Sequence, residues 1–397
     1  MEQLAIFGGS PVRENKIFYG RQYIDQADVE AVVDALKSDY LTCGPKISEL
    51  EAKICEVTGA KYAVAVSNGT AALHIAALAA GFQEGDEVIV SSITFAASSN
   101  CVLYCGATPV FADIKPDTYN IDPEAVRKLI TPKTKGIVAV DFTGQAVEVD
   151  EIKKICDEYN LVFIEDAAHS IGTSYKGQGV GSMADMTTFS FHPVKTVTAG
   201  EGGAITTNDY ELYRKLMRLR THGITRDQSE MVNPSDAMWY NEQVELGYNY
   251  RLTDFQAALL CSQLNKLPQF AARRKEIVKL YDEAFSDMPE IKLQREIAES
   301  DTVRHLYILR LNLELLNCDR RQFFDALYAE NVCPQVHYLP VYWHSYYEKL
   351  GYEKGICPEA EAFYNEVMSI PLYPVLSDGE VQDTIKAVKK VVEYYRK

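Results

Sequence analysis

Three short stretches hold the residues whose types and spacing could do chemistry. The first is Ser67-Asn68-Gly69-Thr70-Ala71-Ala72-Leu73. Gly69 allows a sharp turn, and an alanine-rich helix is expected to begin at about Thr70. Exposed amides, the positive end of the helix dipole and a threonine hydroxyl could together hold an anion there. Asn68 or Thr70 acting only as a helix cap accounts for the same residues. The second stretch is Glu165-Asp166-Ala167-Ala168-His169. Two carboxylates at the mouth of a strand could bind a metal, exchange a proton or hold a cationic ring. A solvated strand end with a packed histidine accounts for them equally well. The third is Thr188-Phe189-Ser190-Phe191-His192-Pro193-Val194-Lys195, followed by Gly200-Glu201-Gly202-Gly203. Burial in so apolar a stretch favours a neutral amine and lowers the lysine pKa from about 10.4, as condensation with an aldehyde requires. Taken alone, a lysine is far more often a surface charge.

Jointly the three stretches make a chemical set: a phosphate cradle, a carboxylate for a pyridinium nitrogen, and a lysine for an aldehyde. Pyridoxal 5'-phosphate needs those three things. The carboxylate keeps the ring nitrogen protonated, so the ring can accept electrons. The lysine, once displaced by substrate, is a free amine near the α-carbon and can shuttle its proton. Gly177-x-Gly179-x-Gly181 lacks the strand–turn–helix setting of a dinucleotide fingerprint and is set aside.

These residues need a scaffold, and the apolar pattern supplies one. Strands are expected near Tyr62–Val66, Glu87–Ser91, Pro109–Asp113, Gly136–Asp141, Leu161–Glu165, Met186–Phe191 and Gly203–Thr207. Several are continuously apolar, such as Leu161-Val162-Phe163-Ile164, which suits strands buried on both faces of a mostly parallel sheet. Helical signals lie between them: Ile47, Leu50, Ile54 and Val57 share one face, closed by Gly59, and Asp122-Pro123 opens another helix. Alternating βα units imply an α/β fold with its ligand site at the carboxyl ends of the strands. Near Thr253 the pattern changes. One long helix is expected to about Phe285, broken or kinked at Pro268. A strand around Arg304–Leu311, a helix from Arg320 to Glu330, a strand around Pro334–Tyr338 and a final helix opened by the capping box Ser377-Asp378-Gly379-Glu380 follow. The expected division is a large α/β domain over 1–262, with the packing of residues 1–24 left open, and a smaller α+β domain over 263–397.

Composition narrows the function classes. The chain has 397 residues, 47% hydrophobic and 24% charged, which excludes wholesale disorder. Forty Lys+Arg against 56 Asp+Glu leave a net charge of −16, which argues against nucleic acid or an anionic membrane as partner. A small phosphorylated ligand in a local pocket remains compatible. No apolar run suits a bilayer span, the first residues do not read as a signal peptide, and the nine scattered cysteines show no zinc spacing. The expectation is a cytoplasmic protein with reduced thiols and no metal.

At this point the chain resembles the DegT/StrS family of sugar aminotransferases, from about Gly20 to the last helix. The carrying motifs are Asn68-Gly69-Thr70-Ala71-Ala72, Glu165 to His169, Phe189 to Lys195, Gly200 to Gly203 and Gly247-Tyr248-Asn249-Tyr250-Arg251. The resemblance implies the aspartate-aminotransferase-like fold (type I of the pyridoxal-phosphate enzymes) and the following roles. Lys195 forms the internal aldimine and Asp166 binds the pyridine nitrogen. His169 lies near the ring's 3-hydroxyl, where the family commonly has Gln or His. Thr70, Ala71 and Ser190 hold the phosphate, the first two partly through backbone amides, and Phe95 stacks on the ring. Without the resemblance Phe95 would be read as a core aromatic. Asn249 reaches the phosphate of a neighbouring subunit, which implies a homodimer with composite sites. His337, Tyr338 and Arg251 are candidates for the substrate pocket, with strand packing or interface ion pairing as their plain alternatives.

Within the family, Phe191–Gly203 and Gln335-Val336-His337-Tyr338 point to the branch serving pseudaminic acid biosynthesis. There glutamate is the amino donor in a ping-pong reaction, and C4 of a UDP-linked 4-keto-6-deoxy N-acetyl hexose is aminated. The alternatives are another deoxysugar aminotransferase, acting at C3 or on another nucleotide, and a sugar dehydratase. Related dehydratases replace the lysine with histidine, so Lys195 weighs against the last. A non-catalytic scaffold predicts loss of Lys195 or Asp166, and both are present. The polar stretch 225–242, with Trp239 and Tyr240, reads equally as a substrate-covering loop or a surface excursion.

Overall fold

The computed structural model describes residues 2–397. Seven strands form the central sheet: β1 (Tyr62–Val66), β2 (Glu87–Ser91), β3 (Thr108–Ala112), β4 (Thr134–Val140), β5 (Val162–Asp166), β6 (Met186–Ser190) and β7 (Gly203–Thr207). They are the seven runs expected from the sequence, with small shifts at the ends. In space they run β1-β7-β6-β5-β4-β2-β3. Only β7 opposes its neighbours; the other pairings are parallel.

The sheet is covered on both faces, which is why its strands are apolar throughout. Alternate residues feed two cores. Ala63, Ala65, Ile137, Phe163 and Phe189 pack toward the helices Pro45–Thr58, Val149–Tyr159 and Asp254–Asn265. Val64, Val66, Val138, Ile164 and Met186 pack toward Gly69–Ala79, Ala97–Tyr104 and Tyr210–Arg220. Phe163 and Ile164, adjacent in sequence, therefore lie in different cores.

A third core surrounds a small antiparallel sheet ordered Ile291–Lys292, Tyr307–Leu311, Val367–Ile370. The helix Asp378–Tyr395 covers it, opened by the Ser377/Glu380 capping box. Its stripe Val381, Ile385, Val388, Val392 and Tyr395 is buried. Leu4 and Ile17 from the start of the chain join this core, and Ile17–Phe18 pairs in parallel with Val332–Cys333. Conversely, Val341, Tyr342, Tyr347 and Phe363 pack into the second core beside the large sheet.

One expectation holds and one changes. The helical stretch after Thr253 is broken at Pro268 into two helices, Asp254–Asn265 and Leu267–Phe285, with Pro268 in the first turn of the second. Proline is tolerated there because its missing N–H has no intrahelical partner to lose. Pro334–Tyr338 is not a strand. Pairing stops at Cys333, Pro334 has no N–H to continue it, and only Gln335 bridges Ser369. All nine cysteines are free thiols, five of them buried.

Candidate active site

The chemistry-bearing residues meet at one edge of the large sheet. β1, β5 and β6 end there and antiparallel β7 begins there, with Gly203 in register with both Val66 and Ser190, and Asp166 beside Thr188. Strand polarity alone thus brings three distant stretches to one edge.

After β1 the chain turns into the helix Gly69–Ala79. Asn68 caps it, its Oδ1 accepting the Ala71 N–H at 2.8 Å. The Ala72 N–H donates to the Asn68 carbonyl at 3.1 Å. The cap is present, and it leaves the Gly69 and Thr70 N–H groups without an intrahelical partner. The Ala71 amide is engaged, so Gly69 and Thr70 offer the open N–H groups at the positive end of this helix. Gly69 must lack a side chain because a Cβ there would lie 2.9 Å from Ser190 Cβ. The first turn and the end of β6 thus approach closely, and Thr70 and Ser190 both line the cavity.

Lys195 follows β6 on a loop that folds back on itself. The Phe191 N–H donates to Gly202 and the Ala199 N–H to Phe191, while the Lys195 N–H closes a turn onto the His192 carbonyl at 2.9 Å. This pins the half-buried lysine against the cavity. Burial pushes its pKa down to about 8, and the negative charge of Asp166 opposes that shift.

Asp166 is the last residue of β5 and faces the same cavity. Ser98 donates to its Oδ2 at 2.6 Å and the Ala168 N–H to its Oδ1 at 3.2 Å, with Thr94 behind Ser98 at 2.7 Å. Burial raises its pKa, while these donors and Lys195 stabilise the anion. Its neighbour Glu165 points to the other face of β5, where Thr187 donates to Oε2 at 2.9 Å and Oε1 has no partner. Burial drives this carboxyl up to about 7. Adjacent strand residues face opposite ways, so the two carboxylates do not act on one ligand.

The remaining wall is aromatic. The cavity has a volume of about 710 Å³. Phe95 is 63% exposed and lines it, so it is not a core aromatic. His169 lines it as well; its Nε2 lies 3.3 Å from the Tyr338 hydroxyl, and its buried Nδ1 has no partner. The His337 ring is held by Ser369 Oγ at 2.8 Å, and burial brings its pKa to about 3. Both imidazoles are neutral at physiological pH, because burial also lowers His169.

Thr70, Ala71, Phe95, Asp166, His169, Ser190, Lys195, His337 and Tyr338 all line this cavity; Asn249 and Arg251 do not. Asn249 is exposed and its backbone bridges Thr221. Three contributors escape the sequence reading, Ser98, Tyr19 and His305, while Tyr250 belongs to the Gly247–Arg251 motif without an assigned role. Ser98 carried a local signal, a hydroxyl three residues beyond Phe95. Tyr19 and His305 carried none, because only tertiary packing brings them near Lys195.

The profile of the DegT/DnrJ/EryC1/StrS aminotransferase family matches residues 22–389. The chain is 39% identical over 383 residues to the UDP-4-amino-4,6-dideoxy-N-acetyl-beta-L-altrosamine transaminase of Campylobacter jejuni, covering 95% of this chain and 98% of the relative. Among solved structures it is similar to Helicobacter pylori PseC, an aminotransferase involved in the biosynthesis of pseudoaminic acid. The TM-score is 0.89 at 33% identity, covering 96% of this chain and all of that one. It is also similar to the PLP form of Spr1654 from Streptococcus pneumoniae, a sugar aminotransferase by its description. That TM-score is 0.88 at 33% identity, covering 96% and 99% of the two chains.

Proposed function

This chain belongs to the DegT/DnrJ/EryC1/StrS aminotransferase family, and from that premise we propose that it aminates C4 of a UDP-linked 4-keto-6-deoxy N-acetyl hexose with L-glutamate as donor. The observation that carries the reading is the meeting of Lys195, Asp166, Ser190 and the open first turn of Gly69–Ala79 in one cavity. The choice of sugar and nucleotide is supported by the printed activity of the Campylobacter relative.

The residues fit pyridoxal 5'-phosphate. The turn that a Gly69 Cβ would block, with two free amides and the Thr70 and Ser190 hydroxyls, suits a phosphate. Asp166, buried and held by Ser98, suits a cationic ring nitrogen, and a positive charge beside it would lower its raised pKa. The exposed ring of Phe95 offers a face for stacking. When bound, the cofactor supplies an electron-accepting ring that lets bonds at the substrate's amine-bearing carbon break.

The protein's own contribution is positioning and proton transfer. Lys195 would hold the cofactor, and its free amine would move the proton between the amine-bearing carbon and Nζ. Its lowered pKa supports both roles, since each needs the free amine. Asp166 would hold the ring nitrogen as an anion, and the neutral His169 would meet a ring substituent. With a single lysine amine in one cavity, donor and acceptor would react in turn, in ping-pong order. A second copy, presenting Asn249 from outside, completes the phosphate site.

Replacing Lys195 by alanine tests the reading. The variant should lose nearly all transfer from glutamate to the keto-sugar nucleotide, and borohydride reduction should leave no cofactor on the peptide spanning position 195. Undiminished turnover, or an adduct on another peptide, would contradict it. A panel of 3-keto and 4-keto sugars on UDP and on other nucleotides separates C4 from C3 amination.

A further inference from the structure

His305 is buried and reaches the cavity from the C-terminal half of the chain, just before the small-sheet strand Tyr307–Leu311. Backbone bonds fix it on both sides. Its N–H donates to the Thr143 carbonyl at 2.7 Å, and its carbonyl accepts from the buried Arg274 guanidinium at 3.1 Å. The same Arg274 nitrogen donates to the Arg304 and Leu372 carbonyls at 3.3 and 3.0 Å. Gly144 lies between this segment and the one carrying His169. A Cβ there would fall 3.0 Å from both the His305 nitrogen and the His169 carbonyl oxygen. Thr173, in the turn after His169, ties the segments together: its hydroxyl donates to the Gly144 carbonyl at 2.8 Å and accepts the Val303 N–H at 2.9 Å. The backbone thus presses the two histidines together.

Hydrogen bonds do little to aim His169. Its polar contact with Tyr338 is 3.3 Å long, and its buried Nδ1 has no partner. His337, by contrast, is held by Ser369 at 2.8 Å. The aromatic ring nearest to His169 is that of His305, with centroids 4.6 Å apart at 42°, whereas Phe142 and Tyr338 lie at 6.2 and 6.3 Å. His305 Nδ1 is also buried without a partner, so what it gives His169 on that side is the surface of a ring. Both rings are neutral. Burial lowers both pKa values, Lys195 and His337 oppose a positive charge on either, and His169 and Arg274 oppose one on His305 as well. The contact is therefore packing between two uncharged aromatic faces.

We propose that His305 is a positioning residue: its ring, anchored through Thr143 and Arg274, sets the orientation of His169 and, through it, the hydrogen bond that His169 offers to the 3-oxygen of bound pyridoxal phosphate. The proposal rests on the cofactor reading above and adds the residue that aims His169. An N–H donated to that oxygen stabilises negative charge on the ring, so the proton on the neighbouring lysine-bound nitrogen is lost more readily. The visible absorbance of the bound cofactor follows that proton.

Absorbance of the cofactor-loaded protein against pH tests it. His169→Ala removes the donor and should raise the midpoint of the visible band by about 0.7 pH unit, the fivefold change of one neutral hydrogen bond. His305→Ala should raise it in the same direction, because His169 is no longer aimed. His305→Phe restores an aromatic face and should bring the midpoint back to within about 0.2 unit of wild type. On a His169→Ala background, His305→Ala should move the midpoint no further. His305→Leu fills the space without a planar ring and replaces the alanine variant if that one does not fold. An unmoved midpoint in His169→Ala or in the His305 removals, an equal shift in His305→Phe, or a further shift on the His169→Ala background would overturn the assignment. A wild-type protein that develops no visible band with pyridoxal phosphate would count against the cofactor reading itself, and is seen before any variant is compared.

Discussion

Lys195 shows how far one buried contact can change reactivity. At pH 7 an ordinary lysine near 10.5 is neutral in roughly one molecule in three thousand, whereas one titrating near 8 is neutral in roughly one in ten. Desolvation produces that gain and Asp166 limits it, so the two effects can be separated by charge. In the cofactor-free protein, competitive labelling of amines with acetic anhydride should give Lys195 a reactivity that climbs with pH to a midpoint near 8. Surface lysines should climb to midpoints above 10. Asp166→Asn removes the opposing charge and should move the Lys195 midpoint lower still. A wild-type midpoint matching the surface lysines would show that the cavity does not tune this amine.

At the scale of elements, the anion cradle depends on how closely a helix start approaches a strand end. Gly69 and Ser190 meet within a Cβ radius, and a Cβ on Gly203 would fall 2.4 Å from the Asn68 carbonyl oxygen. These glycines are set by packing between segments. Gly69→Ala should force the helix start and β6 apart and weaken pyridoxal phosphate binding by at least about tenfold, while the Asn68 cap keeps the helix itself formed. Fluorescence quenching of the apoprotein by the cofactor measures this, and Ser190→Ala calibrates the loss of one phosphate donor. Wild-type affinity in Gly69→Ala would mean that the phosphate is held elsewhere.

For the whole molecule, the surface of the single chain is the informative feature. Trp239 is 84% and Leu246 77% exposed, next to the segment carrying Asn249, and Val29, Val33 and Leu36 form an exposed stripe on the helix Gln26–Lys37. Apolar groups exposed in this way suit contact with a second copy. If Asn249 serves the neighbouring site, two inactive variants should rescue one another. Lys195→Ala co-expressed with Asn249→Ala gives mixed dimers in which one site keeps a lysine and receives an intact asparagine. Activity should recover to roughly a quarter of wild type after random pairing. No recovery in mixed dimers confirmed by mass would place Asn249 outside the reaction.

Much of this molecule was legible along the chain because the relevant physics is local. Continuous apolar runs marked strands buried on both faces, Ser377 and Glu380 announced their capping box, and Asp166, Ser190 and Lys195 stood at strand ends, where α/β sheets bind ligands. What depended on contacts between distant segments was not legible. The failure of Pro334–Tyr338 to pair as a strand needed the packed chain. So did the arrival of Tyr19 and His305 at the lysine. Residue type and spacing determine which groups can do chemistry, because strand and helix periods are short. Which of them share one cavity is decided by the order and polarity of strands far apart in sequence.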